Sequence, residues 1–377
     1  MSEGMGNRAA STHSDRTWRK PDLREGFTTS ACAMAAATAA TQVLLTGEAL
    51  TGITVDLPAR KQVTFELARC EISLNGVLCG IIKDAGDDPD VTDGLEIQAA
   101  VAWSDQPGIT LRGGEGVGTV TRPGLPTAVG EPAINPVPRR MITGAVEGMA
   151  GELLEDQGLT VTIRVPGGEE IARQTMNPKL GIVGGISILG TSGIVKPFST
   201  SAYRASIYIE LKMAARNGVT HAVLTTGNRS ETYAQGHYPD LPAYAFVQVG
   251  DHIEYGLKQV HRLKFTRVTL SSMIGKVSKL SQGRMQTHVS VGEVDFDFLA
   301  GVAENLGADA ILGSRIREAN TAHHVQVMLE QAGIAGLEIR LAELAAHAAA
   351  DFIEGAAEVD VLLWHIKGKL LAVGQAQ

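Results

Sequence analysis

The stretch Asn177-Pro-Lys-Leu-Gly-Ile-Val-Gly-Gly-Ile-Ser-Ile-Leu-Gly-Thr-Ser-Gly-Ile-Val195 is apolar and β-branched, and is broken by Gly181, Gly184, Gly185, Gly190 and Gly193. Its isoleucines and valines predict a buried strand over Leu180–Ile188. Its glycines predict turns where backbone comes close to another group. A helical pattern from Ser201 to Arg216 follows at once. A strand, a glycine turn and a helix together suit a small, partly anionic ligand: the turn exposes N–H groups and the helix N-terminus adds its dipole. The same pattern fits a buried strand whose glycines only permit tight packing, and spacing alone does not separate the two.

Downstream the rhythm is strand, helix, strand, helix. Strands are predicted at His221–Thr225, Tyr244–Val249, Arg267–Ser271 and Ala310–Leu312. Helices are predicted at Ala202–Arg216, Asp251–Leu263, Asp297–Leu306, Asn320–Ala332 and Leu341–Ile353. The tail pairs Val359–His365 with Leu370–Val373 across Lys367-Gly368-Lys369 as a hairpin. Such alternation predicts an α/β, Rossmann-like domain with a mainly parallel sheet. Ligands bind beyond the carboxyl ends of such strands. That rule gathers Gly190–Gly193, Thr225–Asn228, Val249–Asp251 and Ser271–Lys276 around one crevice.

Upstream the pattern is α+β. Thr28-Thr29-Ser30 precedes the alanine-rich run Ala31–Leu45, and Gly47 follows, which predicts a capped helix. Strands are expected at Leu50–Leu57, Val63–Arg69, Leu95–Trp103 and Thr160–Val165. Glu71–Lys83 reads as extended and turns at Asn75-Gly76. Between Gly113 and Pro138 the character changes. Gly113-Gly-Glu-Gly-Val-Gly118 is followed by Pro123, Pro126, Pro132, Pro136 and Pro138, which excludes regular helix and central strand. Arg122, Glu131 and Asn135 make it an expected ordered binding loop, and a helix resumes at Arg140–Glu155. The domains are therefore a disordered tail at 1–20, an α+β unit at 21–170 and an α/β unit at 171–377, with the boundary near 166–178.

The chain has 377 residues, 44% hydrophobic and 20% charged, with net charge -8. That suits a globular protein of about two domains. No basic field points to nucleic acid, and no Lys/Arg-rich amphipathic stretch points to a membrane surface. Met1–Lys20 is polar and lacks an apolar signal core, so a cytoplasmic location is expected. Cys32, Cys70 and Cys79, with no CxxC, predict buried thiols rather than a disulfide framework, and no metal site. Sequence leaves the oligomeric state open, a homo-oligomer included.

Thr225-Thr226-Gly227-Asn228 ends a strand and offers hydroxyl and amide groups to a nucleoside or amino-acid moiety, or is an ordinary turn. Lys83-Asp84-Ala-Gly-Asp87-Asp88-Pro-Asp90-Val-Thr-Asp93 gathers carboxylates that suit a metal, acid/base work or a solvated turn. Its spacing is not that of an EF-hand. The Gly113–Gly118 loop lacks the Lys-Ser/Thr of a P-loop. There is no Gly-x-Ser-x-Gly elbow, and His288 and His323-His324 stand alone.

Taken in order, these segments resemble one family, the cobalt-precorrin-5B C-1-methyltransferases of cobalamin biosynthesis (CbiD). The resemblance is carried by Leu23-Arg-Glu-Gly-Phe-Thr-Thr-Ser-Ala-Cys-Ala33, Ile82–Thr92, Gly113–Gly118 with Pro123-Gly-Leu125, and Gly130-Glu-Pro-Ala-Ile-Asn-Pro-Val-Pro-Arg139. Asn177–Val195, Gly227-Asn228 and Lys276–His288 complete it. The chain departs from the family pattern at Ser271-Ser272-Met273, at Arg229-Ser230-Glu231, and at Gln282-Gly-Arg-Met-Gln286. The resemblance implies an enzyme that moves a methyl group from S-adenosyl-L-methionine to C-1 of a corrinoid precursor.

On that basis the cofactor is expected at Gly190, Thr191, Ser192, Gly193, Thr226, Gly227, Asn228 and Asp251. Lys83, Arg139 and Arg140 are expected to meet the carboxylates of the macrocycle between the domains. The helix N-terminus at Thr28, Thr29 and Ser30 is expected to hold a further carboxylate or to serve as a plain cap. Asp84 or Asp87 is expected to take or relay a proton. Two other readings are an NADPH-dependent corrin-precursor reductase and a non-enzymatic corrinoid carrier. Against the reductase, no Gly-x-Gly-x-x-Gly opens the first helix of the α/β half.

Overall fold

A computed structural model describes residues 23–376; the tail expected at 1–20 lies outside them. Alanine explains the first element. Thr29–Thr46 is a helix whose Thr28 hydroxyl accepts from the Ala31 N–H, and Gly47 closes it in the left-handed conformation. Alanine has the highest helix propensity and the smallest side chain of the good helix formers. The helix can therefore be covered on all sides, and every residue from Thr28 to Thr41 is buried. It packs against a sheet, the Pro136–Ala150 helix and the hairpin of Gly52–Val55 with Val63–Glu66. By length and composition it could cross a bilayer, yet 78% of it is buried inside the protein.

The sheet beneath it runs Arg69–Ser73, Gly76–Ile82, Glu96–Ser104, Gly158–Arg164, Ile109–Gly113 in space. Its neighbours are antiparallel except the last pair, which is parallel. The second helix begins at Pro136 rather than Arg140, because a proline in the first turn forfeits no hydrogen bond.

The deciding stretch differs from expectation. Leu180–Ile188 is not a strand of the C-terminal sheet. Asn177–Leu180 is a helical turn, Ile182–Val183 pairs with Thr119–Val120, and Ile194–Val195 pairs with Gly26–Phe27. The rest interlocks with the proline-rich segment. Gly118 N–H donates to Ile186 O at 2.9 Å and Ile186 N–H to Gly116 O at 2.9 Å. Ile188 N–H donates to Ala133 O at 2.8 Å, and Asn135 N–H to Ile188 O at 3.1 Å. Two mostly irregular segments thus satisfy each other's buried backbone groups. Glycine is required at the contact: a β-carbon on Gly116, where φ is +68°, would lie 1.9 Å from Val165 O. Ile186, Ile188 and Ile194 enter the core of the N-terminal unit, while Leu180 and Ile182 pack with Met213 of the unit that follows, so this stretch bridges the two.

The C-terminal sheet runs Phe246–Gln248, His221–Thr225, Arg267–Met273, Glu358–Trp364, Leu370–Ala376. The first four strands are parallel and the last is antiparallel, so the sheet is mixed. Ala310–Leu312, expected as a strand, opens the helix Ala310–Arg317, capped by Asp309, whose carboxylate accepts from Leu312 N–H at 2.8 Å. Asn228–His237 and Ile274–Leu280 are helices without a clear apolar stripe in the sequence.

Gly190 ties the stretch to the first helix. Its φ is +113°, and a β-carbon there would lie 2.5 Å from Thr28 Cβ. Gly190→Ala should therefore lower the unfolding free energy by about 3 kcal/mol through overpacking and backbone strain. Gly144→Ala, on the exposed side of the second helix where nothing lies within 4 Å, should raise it by about 0.5–1 kcal/mol. Urea unfolding of the two variants would contradict this packing if their order were reversed.

Candidate functional site: two cavities that share a wall

Two cavities of about 980 Å³ each meet at Asp251-His252: Asp251 lines the first and His252 the second. The first follows from the order of the strands. His221–Thr225 is followed by Phe246–Gln248 on one side, and the chain then crosses to Arg267–Met273 on the other. The connections leave in opposite directions and open a crevice beyond the carboxyl ends.

The Thr226-Gly227-Asn228 turn forms one wall of this crevice and Ser272–Lys276 the other. Thr226 Oγ1 and Ser272 Oγ lie 2.9 Å apart. Gln248 Nε2 donates to Asn228 Oδ1 at 2.8 Å, which holds the start of the Asn228–His237 helix. A β-carbon on Gly227 would meet nothing within 4 Å, so the turn presents backbone to open space.

Asp251 supplies the negative charge. Thr287 Oγ1 donates to its Oδ1 at 2.8 Å, and Lys276 Nζ lies 3.1 Å from the same oxygen. Partial burial opposes ionisation. The hydrogen bonds from Thr287 and Lys276, with the Lys276 charge, outweigh it and hold the carboxyl below its ordinary 3.8. Among the described contacts, none uses Oδ2.

The second cavity lies where the two units meet. Asp88 and Asp90 come from the N-terminal unit; Gly190, Thr191 and Ser192 come from the interlocked stretch. Lys196, Phe198, the first turn of the Thr200–Arg216 helix, Tyr203 and His252 close it. Ser199 caps that helix, its hydroxyl accepting from Ala202 N–H at 3.2 Å. The His252 and Tyr203 rings are 5.5 Å apart. Burial, and secondarily the Arg204 charge, pushes His252 below its ordinary value and so favours the neutral imidazole.

The structure thus separates the residues expected in one crevice. Thr226, Gly227, Asn228 and Asp251 line the first cavity. Gly190, Thr191 and Ser192 line the second, because their segment is hydrogen-bonded to the first helix rather than to the parallel sheet. Gly193 faces Leu57. Thr28 lines the second cavity while capping its helix. Thr29 and Ser30 are spent on structure: Thr29 Oγ1 accepts from Leu189 N–H at 2.9 Å, and Ser30 Oγ donates to Gly190 O at 3.0 Å.

The acidic segment is likewise committed. Lys83 is buried, 1% exposed, and its Nζ donates to Asp90 Oδ2 at 2.8 Å, so it does not reach for a ligand. Asp84 pairs with the Arg24 guanidinium, which lowers its pKa and makes it a poor base. Asp87 accepts from Arg24 N–H at 2.6 Å. Neither lines the two large cavities, and neither do Arg139, 3.4 Å from Glu131, or the exposed Arg140. The Gly113–Pro138 loop contributes to neither cavity; its role is the interlock.

Sequence reasoning missed Lys196, Tyr203 and His252. The run Ser199-Thr200-Ser201 after Pro197 was the readable signal for the first of these, since it marks a helix start.

The family models that match are CbiD, over residues 16–197, and CbiD, C-terminal domain, over residues 286–375. A solved 1.9 Å crystal structure of the cobalamin biosynthesis protein (cbiD) from Archaeoglobus fulgidus is 29% identical. It covers 71% of this chain and 83% of its own, with a TM-score of 0.39. A cobalt-precorrin-5B C(1)-methyltransferase from Geobacillus kaustophilus (strain HTA426) is 48% identical over 352 residues, 93% of this chain and 95% of the relative. One of the same name from Priestia megaterium is 45% identical over 94% of this chain and 96% of its own. With this identity along nearly its whole length, the chain belongs to the CbiD family of cobalt-precorrin-5B C(1)-methyltransferases.

Proposed function

We propose that the chain transfers the methyl group of S-adenosylmethionine to C-1 of cobalt-precorrin-5B in cobalamin biosynthesis. Family membership supports the reaction. The carrying observation is the pair of cavities that adjoin at Asp251-His252, which offers room for two reactants side by side.

When bound, the cofactor supplies a methyl group on a sulfonium whose leaving group is a neutral thioether, so no oxyanion hole is called for. The protein's task is alignment and exclusion of water, and alignment of two bound reactants is worth up to about 7–11 kcal/mol. We place the cofactor in the first cavity. Asp251 Oδ2 is available to an ammonium or to ribose hydroxyls, Thr226 and Ser272 bring hydroxyls, and Gly227 lets the ligand approach the backbone. Its ordered acceptor and bare turn fit the group. The macrocycle lies in the second cavity. There Lys196 and the N-terminal turn of the Thr200–Arg216 helix replace Lys83, Arg139 and Arg140 as partners for its carboxylates.

The reading is tested by calorimetric titration with S-adenosylhomocysteine, using NADPH for comparison. Saturable binding of the first alone is expected; binding of NADPH alone would replace the reading with a reductase. Gly227→Val should leave the melting temperature unchanged, since its side chain enters open space. It should weaken the homocysteine compound at least about tenfold, or 1.4 kcal/mol; undiminished affinity would empty the first cavity of its role.

Asp251→Asn should weaken the same ligand about tenfold, a charge-assisted hydrogen bond being lost. Because its folded pKa lies below 3.8, Asp251 stays ionised from pH 7 down to 5. Its contribution is lost only as pH falls through that lowered value. Wild-type affinity should therefore not fall through titration of this group between pH 7 and 5, and loss of the Asp251→Asn difference at pH 5 would contradict the assignment. Asp84 lines neither cavity, so Asp84→Asn should leave kcat within about twofold of wild type; a collapse of turnover with bound substrate would restore Asp84 as a catalytic group.

A further inference from the structure

Phe198 is unusual in three independent ways. Its large apolar ring is 70% exposed. Its φ is +52°, in the left-handed region that bulky residues rarely adopt. Its N–H donates at 3.1 Å to Asp88 Oδ1, a residue 110 positions earlier in the chain. Phe198 and Asp88 both line the second cavity. Folding alone gains little from this arrangement. An exposed ring removes little apolar area from water, and glycine would take the same φ without strain. Strained residues held in place by a distant partner concentrate where ligands are gripped.

We propose that Phe198 is a platform for the flat, conjugated face of the corrin-type macrocycle, held at the cavity mouth by Asp88. The proposal rests on the methyltransferase reading and adds the residue that recognises the ring. Neighbouring positions suit the rest of such a ligand. Lys196 stands two residues before the platform, and the helix start at Ser199–Ala202 stands directly after it, all lining the same cavity. A ligand with an apolar face and a carboxylated rim meets an aromatic ring on its face and a cation with N–H donors at its rim. An aromatic side chain offers broad, rigid contact with few rotatable bonds, so little freedom is lost on binding.

Phe198→Gly and Phe198→Trp separate this role from a merely structural one. Each is titrated with cobyrinic acid, a stable corrin bearing free carboxylates, and with S-adenosylhomocysteine. Phe198→Gly is expected to melt at or above the wild-type temperature, because glycine relieves the strain. It should bind cobyrinic acid about tenfold more weakly and leave the affinity for S-adenosylhomocysteine unchanged. Phe198→Trp is expected to keep corrin affinity, with tryptophan fluorescence quenched on binding more than in the wild type. Equal corrin affinity of Phe198→Gly and wild type would overturn the platform alone. Wild-type protein that binds S-adenosylhomocysteine but not the corrin would overturn the platform together with the placement of the macrocycle. Wild-type protein that binds neither would overturn both and remove the methyltransferase reading on which they rest.

Discussion

Two stretches whose regular structure is one two-residue strand each, Gly116–Asn135 and Gly181–Ile188, exchange backbone hydrogen bonds at 2.8 to 3.1 Å. Each would be costly to bury alone, because unpaired N–H and C=O groups lose water without compensation. Together they form a buried junction that neither sheet supplies. The approach is so close that a β-carbon on Gly185 would fall 2.2 Å from the Gly116 carbonyl carbon. The walls of the second cavity depend on this junction. Gly190–Ser192 follow directly from it, and Thr29 and Ser30 clasp the same segment from the first helix.

A second constraint joins the junction to the first cavity. Lys179, on the turn that opens the stretch, lies 3.0 Å from Glu210 and 3.2 Å from Glu231. Glu231 belongs to the helix whose N-terminal residue, Asn228, lines the first cavity. Burial raises the Glu210 carboxyl, and the lysine opposes that shift. Such a pair is weak support for net stability, but losing the lysine would leave two poorly solvated carboxylates together. Its structural effect is to tie the helix at the first cavity to the segment that walls the second.

The legible and illegible parts of the sequence divide by range. The Thr29–Thr46 helix was readable because its cap, its alanines and Gly47 are consecutive in the chain. Thr226-Gly227-Asn228 and Asp251 were placed correctly in one crevice because strand ends in a parallel sheet obey a topological rule. Gly190–Ser192 were misplaced because an apolar β-branched run looks the same whether it pairs in a sheet or locks into a loop. Lys83, Asp84 and Asp87 looked free because their partners cannot be read from local pattern. Arg24 is 60 residues from Asp84, and Lys83 is hidden by packing rather than by composition. His252 and Phe198 carry no motif at all; only exposure, dihedral angle and cavity position single them out.

The clasp between Thr29–Ser30 and Leu189–Gly190 spans 160 residues of chain. It has a kinetic consequence. During synthesis the alanine-rich helix emerges early, and the strands and helix that cover most of it follow by residue 150, but the clasp on its first turn arrives only as the chain approaches residue 195. Until then the first turn of an apolar helix of membrane-like composition lacks its cover, and incompletely covered apolar surface is the circumstance in which growing chains aggregate or engage chaperones. Contacts of such long range also slow folding, since the loop must close before any of them forms. For the N-terminal unit, the rate at which a complete core becomes available is thus set by its last residues, not by the helix that the core surrounds.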